Sequence, residues 1–179
     1  MKHLSDEALM KRVADGDLDV MHHLYHRFRD KIYNYALMMV RDKELSMDIT
    51  QDVFYRVIKH RRTYKGSRFS PWIYAIARNL CHDYHKMQTK SDLHLADQGM
   101  LENTLDEVPE VLGNDAQLEQ AMNGLAAADK ELIFMSKFHK MKYQEIAAIT
   151  DSTEGAIKTR VHRALLKLKE QYFKISKTS

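Results

Sequence analysis

Residues that interrupt helices are scarce in this chain, and their scarcity limits the folds open to it. Only six of the 179 residues are glycine and only two are proline. Apolar residues recur every three or four positions, which is the spacing of one face of an amphipathic helix. One such stripe consists of Leu45, Ile49, Val53 and Val57. The sequence therefore predicts an all-α protein.

Capping residues and turn residues divide the periodic segments into separate predicted helices. Ser5, Ser70 and Thr153 are the predicted N-caps, and Pro71 suits the first position of the helix that follows Ser70. The predicted helices cover residues 5–14, 17–28, 30–40, 43–61, 71–87, 115–125, 129–138, 143–149 and 153–173.

Charge falls into three blocks of alternating sign, which the formal net charge of +3 conceals. Residues 54–90 contain nine Lys/Arg and one acid. Residues 92–119 contain eight acids and no Lys or Arg. Residues 136–174 are basic again, with nine Lys/Arg and four acids. Two basic segments are therefore separated by an acidic one.

The acidic block has the composition of a flexible linker. It shows little sustained periodicity and contains Gly99, Pro109 and Gly113. We therefore predict two small helical domains that are joined by an acidic flexible linker. The predicted boundaries are 1–87 for the first domain, 88–114 for the linker and 115–179 for the second domain.

The first basic block also concentrates aromatic residues. They are Phe54, Tyr55, Tyr64, Phe69, Trp72, Tyr74 and Tyr84. Basic side chains bind phosphate and exposed rings stack on unpaired bases, so the combination indicates a surface for nucleic acid whose strands are open. The alternative is an aromatic core beneath a solvated basic face. The stripe of Ile73, Ala77 and Leu80 is assigned to such a core.

The second basic block has the spacing of a helix-turn-helix. A short helix over Tyr143–Ile149 is followed by a turn and by a long helix that begins at Thr153. The outer face of that long helix carries Lys158, Thr159, His162, Arg163 and Lys167. A basic helix in this position suits the major groove of duplex DNA.

Several functional classes are disfavoured. Cys81 is the only cysteine, so no internal disulfide can form and a reducing compartment is indicated. The sequence has no secretion signal and no apolar run of membrane-spanning length, and we expect a cytoplasmic protein without membrane insertion. The pair His22 and His26, and the group Cys81, His82 and His85, are incomplete as metal sites. No catalytic set is present, so we predict no enzymatic activity, no cofactor and no metal.

Three segments together carry a resemblance to a known family. LSMDITQDVFYRV and FSPWIYAIARNLCHDYHK lie within residues 24–86, and YQEIAAITDSTEGAIKTRVHRALLKLK lies within residues 118–172. They resemble regions 2 and 4 of the extracytoplasmic-function (ECF) sigma factors of bacterial RNA polymerase, in the family's order and with its linker length. One departure is the turn, where the family often has Leu-Gly and an apolar residue and this chain has Thr150, Asp151 and Ser152.

The resemblance implies roles for individual residues. Docking on the clamp helices of the polymerase β′ subunit would involve Asp48, Gln51, Asp52 and Phe54. Capture of a flipped base and of the melted minus-ten strand would involve Tyr64, Lys65, Gly66, Ser67, Arg68, Phe69, Trp72, Arg78, Asn79, Asp83 and Lys86. Recognition of the minus-thirty-five element would involve Ser152, Thr153, Glu154, Gly155, Lys158, Thr159, His162, Arg163 and Lys167.

The resemblance also implies partners and a function. The partners would be promoter DNA and core RNA polymerase, through its β′ clamp helices and its β flap. Many members of the family are held by an anti-sigma factor, and the sequence leaves open whether this chain has one. The expected function is to bind core polymerase, recognise promoter DNA and initiate transcription.

Two other functions stay open at this point. One is a helix-turn-helix regulator that is not a polymerase subunit. It would need a sensor or dimerisation domain at the N-terminus, and the helix that contains Trp72 and the basic loop before it argue against such a domain. A helical nuclease or deaminase that uses the histidines would bind a metal.

Overall fold

The computed structural model describes residues 4–95 and 115–178 of the chain. Within those residues there are α-helices and short helical turns but no β-strand, so the all-α prediction is confirmed. The chain divides into two compact units, Met1–Glu107 and Val108–Ser179, which we call the first and second units. The α-helices are α1 (Asp6–Ala14), α2 (Met21–Val40), α3 (Lys43–Lys59), α4 (Phe69–Leu95), α5 (Ala116–Asn123), α6 (Ala127–Ile133), α7 (Tyr143–Ile149) and α8 (Glu154–Thr178).

Helices α2, α3 and α4 form the centre of the first unit, and α1 packs against α2 and α4. The predicted core stripe of α4, made of Ile73, Ala77 and Leu80, is buried. Tyr35 of α2 and Tyr74 of α4 meet edge to face, with ring centroids 5.4 Å apart. Burying one large apolar side chain contributes roughly 1.5–3 kcal/mol, so this core determines which faces of α3 and α4 remain outside.

Polar contacts hold α1 against α2. The Ser5 hydroxyl accepts a hydrogen bond from the Ala8 N–H at 3.1 Å, which confirms Ser5 as the N-cap of α1. Arg27 of α2 donates to the Asp6 carboxylate at 2.6 Å and to the Leu4 carbonyl at 2.9 Å. These contacts fix the first turn of α1, and with it the position of Glu7.

Helix α2 is continuous over Met21–Val40, where the sequence analysis predicted two helices over 17–28 and 30–40. The predicted break was wrong because the segment contains neither glycine nor proline, so nothing in the backbone interrupts the helix. Arg29 and Asp30, at the predicted break, form an exposed ion pair at 3.0 Å. The first residues of the helix predicted over 17–28 instead form a 3-10 turn at Leu18–Val20.

Helix α4 begins earlier and ends later than predicted, at Phe69 and Leu95. Ser70 therefore lies in the first turn instead of at the N-cap. Pro71 is tolerated there because the first N–H groups of a helix have no intrahelical partner. At the other end, residues 88–95 contain no glycine or proline and continue the helix. The predicted linker thus overlaps α4 up to Leu95, and its remainder, 96–114, lies outside the described residues.

In the second unit, α5, α6 and α7 pack against the long helix α8. The carboxylate of Asp115 caps α5 by accepting hydrogen bonds from the N–H groups of Gln117 and Leu118, each at 3.0 Å. The helix predicted over 129–138 is α-helical up to Ile133 and continues as a π-helical turn over Phe134–Phe138. One cluster of the unit's core consists of Met122, Leu125, Ile133 and Ala164, bordered by Leu118, Phe138, Leu165 and Leu168.

Candidate nucleic-acid and protein interfaces

Helices α7 and α8 form the predicted helix-turn-helix. Helix α7 has the predicted bounds, and the turn contains Asp151 in the left-handed region with φ of 51°. Asp tolerates this conformation better than most residues, so it takes the place that glycine often has in such turns. The Ser152 N–H donates to the Ala147 carbonyl at 2.9 Å. The Thr153 hydroxyl accepts from the Ala156 N–H at 3.2 Å, which confirms the predicted cap.

Over its first three turns, one side of α8 is buried and the other is exposed to solvent. Ile157, Val161 and Ala164 are fully buried against the unit. The opposite side is exposed and forms what we call the recognition face. It carries Glu154, Gly155, Lys158, Thr159, His162 and Arg163. All of these residues were predicted, whereas the exposed Arg160 beside them was missed, although its charge and position were visible in the sequence.

Two predicted residues of α8 have partners inside the unit. Lys167 forms an ion pair with Asp129 of α6, with Nζ and Oδ2 2.6 Å apart. The Thr159 hydroxyl donates to the Gly155 carbonyl one turn earlier, at 3.1 Å. Lys167 therefore helps to join α6 to α8.

The connection between α3 and α4 is a loop that is anchored at both ends and exposed in the middle. Tyr64 and Phe69 are buried, and the side chains of the tip, residues 65–68, are exposed. The Tyr64 hydroxyl donates a hydrogen bond to the Ser67 carbonyl across the loop. Gly66 has φ of 73°, a conformation that favours glycine. The result is a basic tip of fixed shape.

An aromatic cluster holds the loop ends. The Phe69 ring lies 5.0 Å from Phe28 and 6.3 Å from Tyr64 between centroids. Trp72 is partly exposed, with its ring 5.3 Å from Tyr64. Trp72 therefore supports the loop and also shows part of its surface to solvent.

The carboxylate of Glu7 reaches the start of α4. Its Oε1 accepts a hydrogen bond from the Phe69 N–H at 3.2 Å. Burial alone would raise the pKa of Glu7. Hydrogen bonds from its own N–H, from Phe69 and from Ser5, with the charge of Arg68, outweigh that effect and lower it. Burial, with the charges of Glu7 and Asp6, raises the pKa of Tyr64 to about 12, so its hydroxyl remains a donor.

The aromatic residues of the first basic block divide between core and surface. Phe54, Tyr64, Phe69 and Tyr74 are buried, so for these four the core interpretation is correct. Tyr55 is 60% exposed. The exposed part of α4 carries Asn79, Asp83 and Lys86, and Arg78 beside them is partly exposed.

The acidic side of α3 is open to solvent. Asp48 and Gln51 are exposed, and Asp52 is partly exposed. Phe54, predicted with them, is buried, and its ring lies 4.8 Å from Tyr25 of α2. Phe54 therefore holds α3 in place instead of facing a partner.

Two further residues with large apolar side chains, Met47 and Tyr55, are exposed on α3; Met47 was not predicted as a site residue, and Tyr55 was predicted only within the aromatic set of the first basic block. Met47 is 49% exposed, and it and Tyr55 extend the row through Gln51 at four-residue spacing. Lys59 lies over the Tyr55 ring at 5.7 Å. The four-residue spacing from Gln51 is the signal that could have revealed them.

Over residues 4–95 and 115–178 no three His, Cys, Asp or Glu side chains are grouped as a metal site would require. Among the described helices, none combines the length and apolar character needed to cross a membrane.

Known proteins match both units of the chain. Residues 24–91 match the family model of sigma-70 region 2, and residues 115–168 match that of sigma-70 region 4. The RNA polymerase sigma factor CarQ of Myxococcus xanthus is 30% identical over 90% of this chain and 94% of its own length. The ECF RNA polymerase sigma factor BldN of Streptomyces coelicolor is also 30% identical, over 88% of this chain, which spans only 62% of that longer protein.

A solved structure shows a similar fold. It is that of the sigma factor RpoE in complex with the anti-sigma factor NepR from Bartonella quintana. The TM-score is 0.64 at 20% identity, over 84% of this chain and 94% of the other. The two matched regions occur in order, and the match to CarQ extends over most of both proteins. The chain therefore belongs to the extracytoplasmic-function family of RNA polymerase sigma factors.

Proposed function

We propose that the protein binds core RNA polymerase with its first unit, reads promoter DNA with both units, and has no catalytic activity of its own. The observation that carries this proposal is the presence of two differently built basic surfaces in one chain. One is a fixed loop next to an aromatic cluster, and the other is a helix-turn-helix with an exposed recognition face. A promoter-reading subunit acts in the cytoplasm, and we place the protein there.

Docking on the β′ clamp helices is assigned to the outer side of α3. Asp48 and Gln51 are exposed there, and Asp52 partly so, and none of the described basic residues forms an ion pair with either aspartate. Met47 and Tyr55 add apolar area to the same side. Protein interfaces commonly combine such a Met or Tyr anchor with a polar rim. We call the row of Met47, Gln51 and Tyr55, together with the carboxylates of Asp48 and Asp52, the α3 docking face.

Recognition of the minus-ten element is assigned to the loop between α3 and α4 and to the α4 face after it. Lys65 and Arg68 can contact phosphate, while backbone groups and Ser67 can line a pocket for one unstacked base. Extruding a base from a duplex costs a few kcal/mol. A preformed tip held by Tyr64 and Phe69 keeps the further cost of ordering the loop small.

Recognition of the minus-thirty-five element is assigned to the recognition face of α8. Lys158 and Arg163 suit contacts to guanine or phosphate, and Thr159 and His162 lie between them on the same side. Because Lys167 is paired with Asp129, we assign it to the integrity of the unit as well as to the DNA backbone. The β flap of the polymerase is the further partner expected for this unit.

An anti-sigma factor is the remaining partner that we propose. The similar sigma factor RpoE was solved in complex with one, NepR. A regulator that uses only the helix-turn-helix would leave the first unit without a role, and residues 24–91 match sigma-70 region 2. The match therefore does not favour that alternative.

The test is co-purification with affinity-tagged core polymerase, followed by transcription from a library of promoters. Wild-type protein should be recovered in the holoenzyme and should direct initiation at a subset of the library. A variant whose recognition face carries Lys158→Ala and Arg163→Ala is the matched control, because it should still bind polymerase but lose promoter selection. Failure of the wild-type protein to bind core polymerase would refute the proposal.

A further inference from the structure

The segment that leads into the helix-turn-helix carries basic residues for which the sequence analysis found no role. Lys137, Lys140 and Lys142 are all exposed. Lys137 lies in the π-helical turn over Phe134–Phe138, and Lys140 and Lys142 lie between that turn and α7. We call residues 137–142 the lysine loop.

The lysine loop has a fixed backbone. The His139 N–H donates to the Phe134 carbonyl and the Met141 N–H to the Met135 carbonyl, each at 3.0 Å. The His139 ring packs on Phe134 at 4.7 Å between centroids, and Met141 is buried. The lysines are therefore presented from a rigid support.

Two features of this backbone are uncommon in proteins. Lys140 lies in the left-handed region with φ of 51°, which is unfavourable for a residue with a side chain. The π-helical turn that overlaps the start of the loop is also rare, and such turns occur frequently at functional sites. Glycine would relieve the conformation at position 140, so the presence of lysine there suggests that its charge is used.

Within the described part of the chain, no carboxylate forms an ion pair with a lysine of the loop. Glu145 is buried, and its carboxylate caps α7 by accepting a hydrogen bond from the Lys142 N–H at 2.7 Å. The ion pairs found among residues 4–95 and 115–178 do not include Lys137, Lys140 or Lys142. The loop therefore presents three positive charges outward.

We propose that the lysine loop binds the phosphate backbone of duplex DNA beside the groove that α8 enters. This inference rests on the function proposed for the second unit. Helix α7 packs on α8, and the first helix of a helix-turn-helix crosses the DNA backbone. The loop ends where α7 begins, so it lies at one end of that crossing helix. Its contacts fix the position of α8 on the duplex and carry no sequence information.

The experiment measures binding of the full-length protein to a labelled random-sequence duplex as a function of salt concentration. Each phosphate contact that is lost makes the slope of log affinity against log salt shallower by about 0.9. The triple variant Lys137→Gln, Lys140→Gln and Lys142→Gln should therefore make the slope shallower by about 2–3. The matched control removes three exposed lysines elsewhere, by Lys11→Gln, Lys31→Gln and Lys177→Gln, and should change the slope less. Equal slopes for the wild type and the triple variant would overturn the proposal.

A second variant separates charge from folding. Lys140→Gly removes one charge and relieves the backbone strain of the left-handed conformation at this position. The thermal midpoint of the variant should therefore equal or exceed that of the wild type, while its salt slope should still become shallower. Loss of polymerase co-purification with an unchanged DNA salt slope would instead assign the loop to an acidic protein surface. Failure of the proposed function is distinguishable, because it would appear as wild-type promoter selection in the Lys158→Ala and Arg163→Ala variant.

Discussion

Glu7 illustrates how one side chain supports a functional loop from a distant part of the sequence. It is separated by 62 positions from Phe69, whose backbone N–H donates a hydrogen bond to the Glu7 carboxylate. The sequence analysis assigned the cap of α4 to Ser70 because capping motifs are local, and a carboxylate from another helix has no local signature. The same limit applies to Tyr64 and Phe69, since a basic aromatic segment does not reveal which rings are buried.

Replacing Glu7 tests this contact through its pH dependence. Because the pKa of Glu7 is lowered in the folded protein, folding favours the ionised carboxylate. The contribution is present above the unfolded-state pKa of about 4.3 and is lost as pH falls through the folded pKa. Glu7→Gln should lower the unfolding midpoint at neutral pH, and the difference from the wild type should shrink in acid. Trp72, the only tryptophan, reports unfolding of the first unit by fluorescence.

The control for that measurement is Asp83→Asn, which removes an exposed carboxylate from α4. It should leave the midpoint almost unchanged at neutral pH, as most exposed substitutions do. If Glu7→Gln lowers the unfolding midpoint by the same amount at neutral and acidic pH, the charge of Glu7 does not stabilise the loop.

Single basic residues of α8 should have different effects on DNA binding. Arg163→Ala should cost about 1–3 kcal/mol at the correct minus-thirty-five site if the guanidinium contacts a base, and much less on random duplex. Lys167→Ala should weaken all sequences alike and also lower the stability of the second unit slightly, because it removes the ion pair with Asp129. Binding titrations on specific and random duplexes check both results. Equal losses on the two duplexes for Arg163→Ala would contradict base reading.

At the scale of elements, local signals predicted some helices well and failed where the signal was absent or indirect. The bounds of α7 and the N-cap of α8 could be predicted because the turn residues and Thr153 directly adjoin segments in which apolar residues recur at helical spacing. The break predicted within α2 had no glycine or proline to support it. The end of α4 was predicted too early because the linker, inferred from weak periodicity and from glycine and proline at positions 99–113, was extended back to residue 88, although residues 88–95 contain neither glycine nor proline.

The loop between α3 and α4 provides the test at this scale. Its tip, residues 65–68, can be exchanged for that of a relative with another promoter preference while Tyr64 and Phe69 stay in place. The preferred minus-ten base should change, because the anchors keep the loop shape and the tip supplies the contacts. Transcription from promoters that vary only at the minus-ten positions measures this preference. An unchanged preference would assign the reading to the face of α4 that carries Asn79 and Asp83.

At the scale of the whole molecule, the proposed docking face and the proposed DNA-binding surfaces use different residues, so each should be removable alone. Asp48→Arg with Asp52→Arg reverses the charge of the α3 docking face. The thermal midpoint should stay nearly unchanged, because neither carboxylate forms an ion pair with a described residue and isolated surface charges contribute little to stability. Recovery with tagged core polymerase should be abolished, since an acidic docking face suits a basic partner surface and the reversal would place like charges opposite each other. Binding of the free protein to duplex DNA should remain.

The matched control reverses the charges of Asp15 and Asp19, which are exposed acids outside α3, and it should leave recovery with core polymerase intact. Normal holoenzyme formation by the double variant of α3 would place the docking surface on another part of the protein.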